Sequence, residues 1–325
     1  MGRKQVKARA VRGTVQNAKV GPAVSGKSED TTAKARLEPW ARLAQVLALS
    51  AIGIFVALGF ESPAPWHRNL YRAGPLILGL GSALLLATGL TISLRRRPFI
   101  QRGRLVAFTI SGICLLIGGC PMPYPSPYAQ RIGSIEFDFP LEGEWSVRFG
   151  GTEVYRNPLV LQPERRFGYE FWRVNTEGQA DSEATQGGRV LAPCPGLVLG
   201  QANLERGGTD GAARSRAFVI LALEDGSHLF LGGLDPASLA VSPGETVARG
   251  TFLGLVGQPS TPGQPASLGL HLQDTALLGD GVGMPLRFGT LLVQGELREN
   301  VVPQGALLRG DGAPGWRVAR PDPGP

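Results

Sequence analysis

Three apolar stretches in the first third of the chain limit what it can fold into. They cover about residues 40–60, 75–94 and 105–122. Each approaches the ~20 residues that a helix needs to cross a ~30 Å hydrocarbon layer. The third is the shortest and the richest in glycine, so a buried core helix is its alternative. The five arginines before it and the proline-rich residues 121–127 after it favour a span. We therefore predict a three-helix transmembrane region over residues 39–122.

The positive charge is concentrated around these stretches. The formal net charge is +7, but residues 1–104 carry 17 Lys/Arg and 4 Asp/Glu, whereas the remaining residues carry 16 and 22. A basic chain is often a nucleic-acid binder. Here the basic side chains lie in a tail and beside apolar runs, so we expect no nucleic-acid partner and a membrane-flanking role. Residues 1–38 are poor in large apolar side chains and are predicted to be a disordered basic tail.

The basic residues also predict an orientation. The tail holds nine Lys/Arg, and residues 95–104 hold five arginines and no acid. The first loop, residues 61–74, contains only two Lys/Arg residues, Arg68 and Arg72. Trp66 and Tyr71 in this loop are expected to lie at the membrane interface. Because positive loops stay in the cytoplasm, the tail and the second loop are predicted to be cytoplasmic. Three crossings then place the chain from about residue 123 onward outside.

The rest of the chain has the pattern of a β domain. The segment Glu224-Asp225-Gly226-Ser227 between two apolar runs predicts a hairpin. Many short strands at regular spacing favour an all-β sandwich or barrel. We expect a linker over residues 123–135, a domain over 136–303 and a flexible Pro/Gly-rich tail over 304–325. The predicted strands are residues 189–192, 197–199, 217–223, 228–231, 251–256, 268–273 and 291–293.

Five motifs in this domain, spread over roughly residues 139–303, have the order found in one known family. Together they resemble the lysostaphin-type (LytM-like) zinc metallopeptidases, which cleave bacterial cell-wall peptides. The resemblance implies a LytM-like β-sandwich or barrel of the duplicated hybrid motif type. The motifs are FPLEGEWSV (139–147), VLAPCPGLV (190–198), LAVSPGETVARG (239–250), GLVG (254–257) and SLGLHLQ (267–273).

The resemblance also implies a zinc site, most of which is missing here. Family members bind zinc through a histidine, an aspartate about a dozen residues later, and the second histidine of a closing pair. Two further histidines position water and stabilise the tetrahedral intermediate. In this sequence Pro158 and Leu159 occupy the expected histidine positions of the first motif. The remaining positions hold Glu170 for the aspartate, Gly233 and Gly269 for the two catalytic histidines, and His271 for the second histidine of the pair.

Glu170 and His271 are therefore the remaining candidates for a metal site, and no residue is a confident catalytic candidate. A catalytic zinc site normally has three protein ligands and a water. In the alternative without metal, His271 is a hydrogen-bonded barrel residue and Glu170 pairs with Arg173 or Arg166.

Other residues could supply ligands. His67 lies between the first two spans. His228 is five residues before Gly233, and this odd offset predicts that it points to the opposite face. Asp235 and Glu164 are acidic alternatives.

Three hypotheses follow. The first is a multi-pass protein of the bacterial cytoplasmic membrane whose extracytoplasmic domain is inactive and binds or regulates the peptidoglycan machinery, with peptidoglycan or a cell-wall hydrolase as partner and no cofactor. The second is an active zinc endopeptidase that cleaves peptidoglycan peptides. The third is a structural membrane protein in which the β domain is a spacer.

Overall fold

The computed structural model describes residues 39–95, 102–131, 135–207, 213–259, 264–306 and 314–321. The predicted disordered tail and most of the arginine-rich loop between the second and third apolar stretches lie outside the described residues.

Three helices that contact one another form the N-terminal part. They are α1 (Pro39–Leu58), α2 (Pro65–Arg95) and α3 (Arg102–Gly119). Among the described residues, α2 is the one helix long and apolar enough to cross a membrane, and the apolar parts of α1 and α3 are shorter. Helix α2 begins well before the apolar stretch predicted at residue 75 and contains Pro75. The first turns of α2 are therefore more polar than the rest of the helix.

These helices expose large apolar side chains and bury small polar ones. Leu49, Leu80 and Leu84 are 69%, 72% and 69% exposed, whereas Ser82 and Ser111 are 0% and 1% exposed. In a water-soluble bundle the large apolar side chains would face inward.

Helices α2 and α3 approach each other closely at Gly118. A Cβ at this position would lie 2.9 Å from the backbone N of Gly79 and 2.9 Å from the carbonyl O of Pro75. Small residues allow helix backbones to pack at this distance. Gly118 therefore sets the separation of the two helices.

The C-terminal part is a mostly antiparallel β domain, which confirms the predicted strand content. Its larger sheet has the order β12-β11-β13-β1-β2-β9-β6-β5-β4-β7, with β10 paired to β9, and β3 and β8 form a second, two-stranded sheet. A short helix α4 (Ser182–Thr185) also occurs. The strands are β1 (Glu144–Phe149), β2 (Tyr169–Trp172), β3 (Arg189–Leu191), β4 (Gly196–Gly207), β5 (Ala213–Ala222), β6 (His228–Leu234), β7 (Thr246–Val247), β8 (Phe252–Leu255), β9 (Leu268–Gln273), β10 (Gly283–Met284), β11 (Phe288–Val293), β12 (Glu296–Val301) and β13 (Arg317–Ala319).

Strand β9 lies between β2 and β6 and has one apolar and one polar face. Leu268, Leu270 and Leu272 are 0–3% exposed and belong to the main hydrophobic core. Because side chains alternate along a strand, Gly269, His271 and Gln273 lie on the other side. We call this side the polar face of β9.

The predicted hairpin between β5 and β6 is confirmed. The carboxylate of Asp225 accepts a hydrogen bond of 3.0 Å from the backbone N of Ser227. Gly226 has φ +79°, in the left-handed region that glycine adopts without strain. These residues close the turn and start β6 at His228.

Strand β13 lies inside the segment that the sequence predicted to be a flexible tail. Val318 pairs with Trp145 of β1 and with Val293 of β11. Val318 is 0% exposed, so its burial holds this short strand in the sheet. A single buried valine in a Pro/Gly-rich segment has no readable periodicity, which explains why the sequence did not predict the strand.

The segment predicted to be a linker packs against both parts of the chain. Tyr124 is 1% exposed, its backbone N donates to the carbonyl of Val160, and its hydroxyl is 2.9 Å from Nδ1 of His67 on α2. Ser126 Oγ donates to the carbonyl of Gly283 at 2.9 Å. Because residues 121–131 follow the predicted transmembrane region, we call them the juxtamembrane segment.

We predict that Gly118→Ala will destabilise the helix region. The added Cβ overlaps the backbone of α2, and overpacking of this kind costs about 1–3 kcal/mol. Thermal unfolding of the full-length protein in lipid nanodiscs should show a Tm several degrees below that of the wild type. Gly119→Ala is the matched control, because a Cβ at Gly119 has no atom within 4 Å. Equal Tm values for the two variants would contradict the close approach.

Candidate functional site

Strand pairing brings the two remaining metal candidates together. Glu170 of β2 is directly opposite Gly269 of β9, and Gly269 is directly opposite Gly232 of β6. His271 lies two residues from Gly269 on the same face. The polar face of β9 thus holds Glu170, Gly269 and His271 side by side.

His271 is buried on this face in a neutral state. It is 8% exposed, and its ring stacks on Phe230 with centroids 4.8 Å apart. Burial, followed by the positive charge of Arg165, lowers the pKa of His271 to about 3. Its Nε2 atom is buried and has no hydrogen-bond partner among the described residues. The ring is therefore a buried, neutral imidazole.

Glu170 is already bound on two sides. Arg148 Nη1 of β1 donates to its carboxylate at 3.0 Å, and Ser267 Oγ donates to the same oxygen at 2.5 Å. The predicted partners were Arg173 and Arg166, but both donate to backbone carbonyls instead. Arg148 lies next to Phe149, the residue of β1 that is paired with Glu170, at a point where the register between β1 and β2 shifts.

A cation that the sequence analysis did not single out lies beside these residues. Arg165 Nη2 is 3.6 Å from the position that a Cβ would take at Gly269. Burial lowers the pKa of Arg165, whereas the carboxylates of Glu170 and Glu164 raise it. Arg165 in turn lowers the pKa of His271. A guanidinium therefore lies close to both groups that the resemblance assigns to zinc.

The positions of the other expected histidines are not available for a metal. Gly233 has φ +99° and follows the point at which the register between β5 and β6 shifts. It is a bulge residue, and a histidine there would be strained. Pro158 and Leu159 lie in a separate 3-10 helix, Pro158–Leu161. Leu159 is 4% exposed and contributes an apolar side chain.

The remaining alternative ligands have structural partners. Asp235 Oδ1 accepts from the backbone N of Ala237 and caps a short 3-10 helix. The carboxylate of Glu164 binds Arg72 at 3.0 Å. His67 is 0% exposed on α2 and has hydrogen-bond partners at both ring nitrogens. These interactions explain their presence without a metal.

The prediction that His228 points away from the site is wrong. His228 is directly opposite Gln273, and Phe230 is opposite His271, so all four lie on one face. The prediction counted five residues from His228 to Gly233 with strict alternation, but the bulge at Gly233 interrupts this alternation. Nδ1 of His228 and Oε1 of Gln273 are also buried without a hydrogen-bond partner among the described residues.

The residues present do not fit a catalytic zinc ion. No group of three or more His, Cys, Asp or Glu side chains that could hold a metal occurs in the part of the chain that the structure describes. The carboxylate of Glu170 is occupied by Arg148 and Ser267. The nearby guanidinium of Arg165 would repel a dication.

In a comparison with solved structures, this chain is similar to M23 (LytM-like) peptidase domains, the family that the motifs resemble, at low identity and with low TM-scores. The catalytic domain of lysostaphin from Staphylococcus simulans is 16% identical, with 36% of this chain and 73% of that chain covered and a TM-score of 0.25. A mutant catalytic domain of the M23 protein EnpA from Enterococcus faecalis is 17% identical, with 49% and 94% covered and a TM-score of 0.28.

A chain in the complex of SpoIIIAH and SpoIIQ is 15% identical, with 46% and 96% covered and a TM-score of 0.31. The match to lysostaphin solved by NMR spans 39% of the lysostaphin chain. No family model and no curated protein matches this chain. At these identities the likeness concerns the fold alone.

The buried state of His271 predicts a pH dependence of stability. Its pKa falls from 6.5 to about 3 on folding. Between these values the unfolded chain binds the proton and the folded chain does not. Stability should therefore fall as the pH drops through this window, by roughly 1.4 kcal/mol per pH unit.

We expect His271→Gln to flatten this dependence in urea unfolding of the full-length protein, followed by tryptophan fluorescence. His228→Gln should flatten it less, because His228 is less buried and Asp274 and Asp225 oppose the lowering of its pKa. An unchanged pH slope in His271→Gln would contradict the buried neutral state.

Proposed function

We propose that this chain is a membrane-anchored, non-catalytic protein whose M23-like domain lies outside the cytoplasmic membrane of a bacterium. There it binds or regulates the peptidoglycan machinery. The observation that carries the absence of catalysis is Arg165, whose guanidinium lies beside His271 and Gly269. A fixed positive charge in this place offsets Glu170 and leaves no reason for a metal to bind.

The membrane placement rests on the length of α2 and on the side chains of the helices, of which large apolar ones are exposed and small polar ones are buried. A helix of 31 residues extends ~46 Å at 1.5 Å per residue, which exceeds a ~30 Å hydrocarbon layer. The large exposed leucines of α1 and α2 would meet lipid, and the buried serines would face neighbouring helices, as is usual in membrane bundles. With α1 and α3 as further crossings, the arginine distribution favours a cytoplasmic N-terminus.

One observation favours a second candidate function, that of a structural spacer. Contacts of the β domain with α2 and with the juxtamembrane segment are specific: Arg72 binds Glu164 at 3.0 Å, and Arg166 Nε donates to the carbonyl of Tyr124 at 2.9 Å. Such contacts hold the domain at one place relative to the helices. A domain that only holds a distance from the membrane needs this rigidity but needs no cell-wall ligand.

We expect the purified full-length protein to hold no stoichiometric zinc and to cleave no peptidoglycan. The measurement is elemental analysis after dialysis against dilute zinc, together with release of peptides from purified peptidoglycan. His271→Ala is the comparison variant, since it removes the one ligand expected in an active site that is still present. About one zinc per chain, with cleavage that His271→Ala abolishes, would establish the peptidase hypothesis instead.

We further expect the wild-type protein in nanodiscs to co-sediment with insoluble peptidoglycan or to change the rate of a purified cell-wall amidase. Non-catalytic binding leaves the peptidoglycan intact, so the pelleted wall should show no new peptide ends. Nanodiscs without protein are the control for trapping. A protein that neither pellets nor alters amidase activity would favour the spacer.

A further inference from the structure

The loop between β9 and β10 presents two adjacent leucines to the outside. Leu277 and Leu278 are 63% and 49% exposed. We call this pair the leucine tip. Single exposed leucines are common on soluble proteins and need no explanation. Two adjacent exposed leucines at the end of one loop form a small apolar surface, and the residues around it indicate what it contacts.

Hydrogen bonds within the loop hold the leucine tip in place. Gln273 Nε2 donates to the carbonyls of Thr275 and Leu277 at 2.8 and 2.9 Å. Across the base, Asp274 Oδ1 accepts from the backbone N of Val282 at 2.8 Å. Gln273 is 0% exposed, so the loop is tied to the interior of the β domain. The outward direction of the leucines is therefore built into the loop.

The same loop is bound to the beginning of α2. Arg68 of α2 forms an ion pair with Asp280, next to the leucine tip. Tyr128 of the juxtamembrane segment donates to Asp274 Oδ2 at 3.1 Å. The side chain of Arg68 is only 8% exposed. The leucine tip thus stands at the level of the first turn of α2.

That level corresponds to the membrane interface if α2 crosses the bilayer. The apolar stretch of α2 begins at residue 75, so at 1.5 Å per residue Arg68 lies about 10 Å beyond a ~30 Å hydrocarbon layer, on the outer side of the lipid headgroups. Trp66 and Phe60, at the same end of the helix pair, are 50% and 74% exposed. Aromatic side chains are enriched at this depth of a membrane.

We propose that the leucine tip inserts into the interfacial region of the outer leaflet, so that the β domain lies on the lipid surface. This inference rests on the proposed function for the membrane crossing of α2. The partner is lipid because the tip is held beside the polar first turns of α2, which lie next to the bilayer when the apolar part of this helix crosses it. The polar face of β9, which ends at Gln273 in the base of the same loop, is then held close to the membrane surface.

Single-cysteine labelling of the full-length protein in liposomes tests this proposal. Cys114 and Cys194 are buried, so only the exposed Cys120 is replaced, by Cys120→Ser. An environment-sensitive fluorophore is attached at one site per variant. Quenching is then measured with nitroxide-labelled phospholipids and with aqueous iodide. The labelled variants are Leu277→Cys, Leu84→Cys on the lipid-facing side of α2, and Leu297→Cys on β12, which is 61% exposed at the edge of the sheet.

The ratio of lipid quenching to iodide quenching should be several-fold higher at position 277 than at position 297, and highest at position 84. Lipid quenching at position 84 with equal ratios at positions 277 and 297 would overturn the insertion of the leucine tip but leave the membrane crossing of α2 standing. Absence of lipid quenching at 84 would instead overturn the membrane crossing of α2 and the inference with it. Protection from iodide at 277 without lipid quenching would mean that a second copy of the chain covers the tip, which also overturns the proposal.

Discussion

Three consecutive residues join the parts of the described chain, and the rest of the structure depends on their charges. Glu164 binds Arg72 of α2, Arg165 enters the polar face of β9 beside His271, and Arg166 donates to the juxtamembrane segment at Tyr124. Charged groups that are partly buried need partners, because desolvation without compensation is costly. The tripeptide can therefore keep its place only when the helices, the segment and the sheet are assembled around it.

The residues around His271 do not match the requirements of a zinc site. A zinc site needs neutral histidines and free carboxylates directed at one point. Here His271 is neutral, but Glu170 is neutralised by Arg148 and held by Ser267. The guanidinium of Arg165 supplies a positive charge that is covalently part of the chain. A dication at this place would therefore meet a fixed positive charge and a carboxylate that already has two partners.

The connection to the helices gives the β domain a defined position. The contacts of Arg68 and Arg72 with the loops around the polar face of β9 are made by the first turns of α2. From the sequence, residues 61–74 are predicted to be a loop, because the apolar stretch begins only at residue 75. The helix instead begins at Pro65, since proline is well tolerated in the first turn of a helix.

Local patterns in the sequence were sufficient to predict the strand β9 and the hairpin at Asp225 and Gly226. Each depends on alternation or on turn chemistry within a few residues, which is a local property of the chain. The strand β13 and the partners of Glu170 could not be predicted, since they depend on which distant segments lie side by side.

The candidate site likewise has features that residue identity shows and features that only the packing of distant segments shows. Loss of the histidines at Gly233 and Gly269 is visible in the sequence, because it is a matter of residue identity. The position of Arg165 is not, because its neighbours come from β2, β6 and β9, which only the packed sheet brings together. Likewise, the bulge at Gly233 turned His228 to the face of His271. Backbone irregularities of this kind arise from strand pairing over long sequence separations, so no local pattern predicts them.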